Sequence, residues 1–138
     1  MLVYLNFRAR GGAYGGANAI LRTLDAELER RGVRTTSDEG APFDVALLNA
    51  LTDGLDLASV QRLAERGKPL VHRKTGYRGR GSVELRSPAD GVPLGDRLQL
   101  ELGPHHAHTI FQSAYSRDIF GEAGFRGAYS VVHNGADP

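Results

Sequence analysis

The chain has no cysteine, which excludes disulfides, thiolate metal ligands and cysteine nucleophiles. A reducing compartment suits such a chain, and a cytoplasmic location is the expectation. Charge of either sign is scarcely in excess: 17 lysines and arginines against 16 acids leave a formal charge of +1. A near-neutral chain lacks the polyelectrolyte character on which nucleic-acid affinity rests, so no nucleic-acid partner is expected. Long apolar runs are missing as well. The opening run ends at Phe7, far short of a signal h-region or a bilayer span, and no integral membrane segment is expected.

Several familiar fingerprints are also missing. The dinucleotide pattern G-x-G-x-x-G finds no register, because Ala13 stands where glycine is needed, and no lysine followed by serine or threonine completes a phosphate-binding P-loop after the glycines. Ser113 follows Gln112 rather than sitting in a G-x-S-x-G elbow, so it reads as a helix cap and not as a hydrolase nucleophile. No two carboxylates fall at adjacent strand ends, which leaves a glycosidase-type acid pair unsupported.

What is present reads as one domain over residues 1–138, with 41% apolar and 24% charged residues, an ordinary balance for a folded globular chain. Among the 18 glycines, Gly11, Gly12, Gly15 and Gly16 cluster in one loop and Gly76, Gly79 and Gly81 in another. Leu2 to Phe7 forms a short apolar run expected to be a buried strand. After Gly11-Gly12-Ala13-Tyr14-Gly15-Gly16, the residues Ala17, Ile20, Leu21, Leu24 and Leu28 recur at helical spacing, and Gly32 supplies a stop. Strands are expected over residues 33–36 and 44–49, a helix over 56–66, and a strand over 69–72. Residues 82–92 lack periodicity and read as loop. A helix is expected over 94–107, a strand over 109–112, a helix from Ser113 through Phe120, and a last strand over 129–132.

This alternation predicts an α/β, Rossmann-like domain: a mostly parallel twisted sheet of about six strands with helices on both faces. Such folds bind ligands at the carboxyl ends of the strands. Three segments are expected to meet there, residues 8–18, residues 73–81, and the turn at Gln112-Ser113.

Each segment carries candidate binding residues. Gly11, Gly12, Gly15 and Gly16 allow close approach of an anion to the start of a helix, where unpaired N–H groups and the positive dipole end attract phosphate. Arg8 and Arg10 add charge, and Tyr14 and Asn18 offer hydrogen bonds. The same glycines equally suit a plain turn. Arg73, Lys74, Arg78 and Arg80 lie within eight residues that hold no acid; they suit a clamp on a phosphate, carboxylate or sugar, or a solvated loop balanced by Glu84 and Asp90. Among His105, His106 and His108, only the first and last would share a helix face, and no nearby carboxylate completes a site, so no metal is expected. His72 and His133 adjoin strands, where a core or rim histidine is the usual finding. Either is able to exchange a proton with a bound hydroxyl near neutral pH, and His72 is the candidate catalytic residue.

Two later segments narrow the choice. Thr109-Ile110-Phe111-Gln112-Ser113-Ala114-Tyr115-Ser116-Arg117-Asp118-Ile119-Phe120 resembles a strand-and-helix stretch of retaining glycosyltransferases with two Rossmann-like domains, the GT-B architecture. Val131-Val132-His133-Asn134-Gly135-Ala136-Asp137 resembles the signature that closes the N-terminal domain of those enzymes, with His133 in place of the usual proline. Asn6-Phe7-Arg8 and the glycines that follow are similar to their first strand and loop.

The resemblance implies an acceptor-side, N-terminal half of a glycosyltransferase. Such enzymes move a sugar from a nucleotide diphosphate sugar to a hydroxyl acceptor, with the nucleotide-sugar as co-substrate and no bound metal or other cofactor. By this resemblance Gly12, Gly15 and Gly16 lie near the phosphate, and His72, Arg73 and Arg78 lie around the acceptor. The C-terminal domain that grips the donor would begin where this sequence stops, so the expectation includes a missing donor half or self-association. The alternative is a non-catalytic nucleotide- or sugar-binding, or self-associating, Rossmann-like module.

Overall fold

The computed structural model describes residues 1–7, 15–49, 57–74 and 94–133, and of the side chains at 15–17 and 94–97 nothing is said. Six strands form one parallel sheet: β1 (Leu2–Leu5), β2 (Arg34–Thr36), β3 (Val45–Asn49), β4 (Leu70–Arg73), β5 (His108–Phe111) and β6 (Tyr129–Val131). Four α-helices accompany them: α1 (Gly15–Arg30), α2 (Leu57–Glu65), α3 (Leu94–Glu101) and α4 (Ala114–Glu122). The strand order is β2-β1-β3-β4-β5-β6. From β1 the chain first steps outward to β2 and later resumes on the other side at β3. This reversal is a topological switch point, and it opens a crevice at the carboxyl ends of β1 and β3.

Register assigns the two faces of the sheet. Tyr4, Ala46 and Leu70 lie abreast, as do Leu48 with His72 and His72 with Thr109. These residues are all buried, and Val60 and Leu63 of α2 join Tyr4, Phe43, Ala46, Leu48, Leu70 and Leu102 in one core cluster. Phe120 of α4 packs on Phe111 at 5.6 Å between ring centroids. Helix α1 belongs to the other face: its Asp25 accepts a 2.8 Å hydrogen bond from Thr35, which lies abreast of Val3. Right-handed crossovers running in opposite directions from the switch point require this division. The expected α/β, Rossmann-like sheet of about six strands with helices on both faces is the fold observed.

Glycines end two helices in the same way. At Gly32, φ is +73°, Val33 N–H bonds to Leu28 carbonyl at 2.9 Å and Gly32 N–H to Glu29 carbonyl at 2.8 Å. At Gly124, φ is +106°, Phe125 N–H bonds to Phe120 carbonyl at 2.8 Å and Gly124 N–H to Gly121 carbonyl at 3.1 Å. Both are Schellman turns, each followed directly by an apolar residue, Val33 or Phe125. The second turn fixes Phe125 edge-on against Phe111, at 5.2 Å between centroids.

The helix expected over 94–107 is shorter than its apolar residues suggested. It ends at Glu101, and a 3₁₀ turn follows at Gly103–His105. The last α-type bond runs from Leu102 N–H to Leu98 carbonyl; Pro104 has no N–H to continue the ladder. The histidines beyond are therefore not on a helix. His106 is extended, at φ −96° and ψ 133°, and His108 lies in β5, 3.1 Å from the Ser130 hydroxyl. His105 and His108 therefore share no helix face. Among the described residues no group of three or more histidines and acids is arranged to hold a metal, and no helix is long and apolar enough to cross a membrane.

Candidate functional site

The site is built from the last residues of β1, β3, β4 and β5. Each strand begins apolar and ends polar: Leu5 is followed by Asn6, Leu48 by Asn49, His72 by Arg73 and Lys74, and Phe111 by Gln112 and Ser113. Where β1 stops, the Asn6 side chain takes over its pairing. Its Oδ1 accepts from the Asn49 backbone N–H at 2.7 Å, and its Nδ2 donates to the Asn49 carbonyl at 3.4 Å. The amide thus imitates one more peptide unit and spans the switch point. Asn49, itself buried, lies abreast of Arg73, and its Oδ1 accepts from Arg73 Nη1 at 2.7 Å.

Beyond Arg73 the row continues through the backbone. Lys74 N–H donates to the Ile110 carbonyl at 3.0 Å, and Gln112 Nε2 donates to the Lys74 carbonyl at 2.8 Å. Ser113 adopts an extended backbone, φ −162° and ψ 161°, and its Oγ accepts from Ser116 N–H at 3.0 Å. It is the N-cap of α4, as the sequence led one to expect. Three amides, a guanidinium and a capped helix start therefore lie along one edge of the sheet. Burial lowers the Arg73 pKa from its ordinary value, yet a guanidinium of this kind stays protonated. Charge held at a half-buried edge suits an anionic or polyhydroxyl ligand, because screening by solvent is reduced there.

The other candidates divide. Gly15 and Gly16 open α1, the helix that follows β1, and Asn18 lies partly exposed in its first turn. Gly11, Gly12, Tyr14, Arg78 and Arg80 lie outside the described residues. His72 and Lys74 turn away from the row. They alternate with Val71 and Arg73 along β4, so both point to the face covered by α2, α3 and α4. Each is fully buried. His72 has no hydrogen-bond partner at either ring nitrogen, lies 4.6 Å from the His106 ring, and is held well below the ordinary histidine pKa by burial, then by Lys74 and His106. It has the wrong side of the sheet for an edge ligand. Lys74 donates to the Gln99 carbonyl of α3, with the Phe120 ring 5.0 Å away.

Asn6 and Asn49 were missed as site residues. The signal for them is a single amide ending each of two apolar runs; only the strand order reveals that these ends are neighbours. An open groove lies elsewhere, between α4 and residues 125–129, lined by Arg117, Asp118, Phe125, Arg126 and Tyr129 among others. Its cations are already engaged: Arg117 Nη2 lies 2.6 Å from Asp118 Oδ1, and Arg126 donates to the carbonyls of Gly121 and Phe125 at 2.9 and 2.7 Å. The carboxyl edge remains the better candidate. Compared with protein-family models, curated proteins and solved structures, the chain gives no match.

Proposed function

We propose that this chain is the acceptor-side half of a GT-B glycosyltransferase, and that its carboxyl edge faces a nucleotide diphosphate sugar and a hydroxyl acceptor. The observation that carries the reading is the row Asn6–Asn49–Arg73 across the crevice between β1 and β3 and on to β4. Amides suit sugar hydroxyls, and the guanidinium suits phosphate or carboxylate. The segment with the strongest family resemblance supports it too: Thr109 to Phe120 forms strand, polar turn, Ser113 cap and helix in that order. The nucleotide-sugar is a co-substrate here and no cofactor is invoked. A second wall for the cleft comes from a donor domain or from another copy of the chain.

One finding favours the second reading, a binding module without turnover. With His72 in the core, none of Asn6, Asn49, Arg73, Gln112 and Ser113 has a side chain suited to proton transfer near neutrality. Incubation with UDP-, GDP- and ADP-sugars separates the readings. Release of nucleoside diphosphate supports the transferase, and binding without release supports the module. Neither binding nor release refutes both.

A further inference from the structure

Lys74 is the only lysine, arginine or carboxylate buried among the described residues. Its amine reaches beneath α3 and donates to the carbonyl of Gln99. That carbonyl belongs to the last four of α3, which have no partner within the helix. The lysine is thus a buried cap on a helix C-terminus, where the dipole is negative. Aromatic rings close the other sides, with Phe120 at 5.0 Å and Phe125 at 5.6 Å from Nζ.

Among the described residues no carboxylate faces the amine: Glu101 of α3 is exposed, and burial is the cause that lowers the Lys74 pKa. His72 on β4 and His106 after the 3₁₀ turn both feel the charge of Lys74. His105 acts in turn on His106. Helix α3 presents a carbonyl and α4 a phenyl ring, while the α4 acids Asp118 and Glu122 are exposed. A neutral amine has two N–H donors, one of which the carbonyl accepts, and no charge to desolvate. An ammonium carries three donors and a full charge, for which this pocket offers one carbonyl and two ring faces.

We propose that Lys74 is a proton-operated latch: as a neutral amine it seals the end of α3 against the carboxyl edge of β4, and as an ammonium it withdraws and frees that helix end. Burial holds its pKa at about 7, which places the transition where ordinary changes of pH act. The latch adjoins the edge row directly. Lys74 shares its backbone with that row through the Ile110 and Gln112 bonds, one residue from Arg73. Release of α3 therefore loosens the edge on which Arg73 is held, whatever ligand the edge takes.

The chain has two lysines, Lys68 and Lys74, and Lys68 is exposed. A sample labelled with ¹³C-lysine gives two Cε signals, which Lys68→Arg assigns without touching the core. The expected result is that the Lys74 signal titrates within about one unit of pH 7. Amide exchange of residues 98–102, corrected for intrinsic rates, is expected to lose about tenfold protection per pH unit as pH falls from about 10 toward the midpoint, and to level off below it, where the closed and released forms are both protonated. In Lys74→Met that loss is absent. A Lys74 signal that titrates only above about pH 9.5 overturns the latch, and so does a titration near 7 that leaves protection of residues 98–102 independent of pH. The wild-type titration and exchange stand alone if Lys74→Met does not fold.

Discussion

Acidification is expected to unfold this protein through two buried imidazoles. Burial holds His106 at a pKa of about 3, with Lys74 and His105 adding to the effect, and burial, then Lys74 and His106, hold His72 well below the ordinary value. In the unfolded chain both titrate near 6.5. Below pH 6.5 the unfolded chain therefore binds protons that the folded chain refuses, and stability falls as pH falls. A group that titrates only in the unfolded chain costs about 1.4 kcal/mol per pH unit. For His106 the loss between pH 6.5 and 4.5 reaches about 2.5 kcal/mol, a large part of the stability of many domains, and His72 adds to it in the same direction. That window lies above the range in which Glu27, lowered to about 2 by its bonds to Arg30 and Arg31, adds its own acid sensitivity.

Urea unfolding followed by circular dichroism at half-unit steps between pH 7 and 4.5 measures the slope. More than one proton taken up on unfolding is the expected value for the wild type below about pH 5.5, and about one for His72→Phe. The substitution preserves a planar ring beside His106 and adds volume, which moves the intercept but not the slope. A wild-type slope below one proton, or an unchanged slope in His72→Phe, refutes the reasoning.

Two further substitutions probe the local structure. Ser113→Ala removes the bond to Ser116 N–H and is expected to cost about 1 kcal/mol in urea unfolding, with the loss concentrated in amide protection of α4. Gly124→Ala forces a Cβ onto φ +106° and is expected to cost about 1–2 kcal/mol by the same assay, although no atom lies within 4 Å of the added carbon.

How much of this was legible in the sequence depends on what each feature requires. Strands such as Val45–Asn49 declare themselves by apolar runs, and Ser113 declares a cap by its type and position. Helix α3 misled because Leu98, Leu100 and Leu102 extend an apolar pattern toward Pro104, where backbone chemistry overrides it. Lys74 was read with its basic neighbours as loop. Continuing the alternation of Leu70 and His72 by one more step puts it in the core, but that step needs β4 to extend through Arg73. Nothing local reveals the strand order that brings Asn6 to Asn49. That contact depends on the reversal between β1 and β3, a property of the whole chain.

The central claim is that the Asn6–Asn49–Arg73 edge holds a nucleotide diphosphate sugar. Thermal unfolding with a panel of UDP-, GDP- and ADP-sugars, run on the wild type and on Arg73→Ala, tests it most directly. A ligand at about one hundred times its Kd stabilises the native state by about 2.7 kcal/mol, which raises Tm by several degrees in a chain of this length. The account predicts such a rise with at least one nucleotide-sugar and its loss in Arg73→Ala. No rise with any of them, or a rise that survives the substitution, contradicts it.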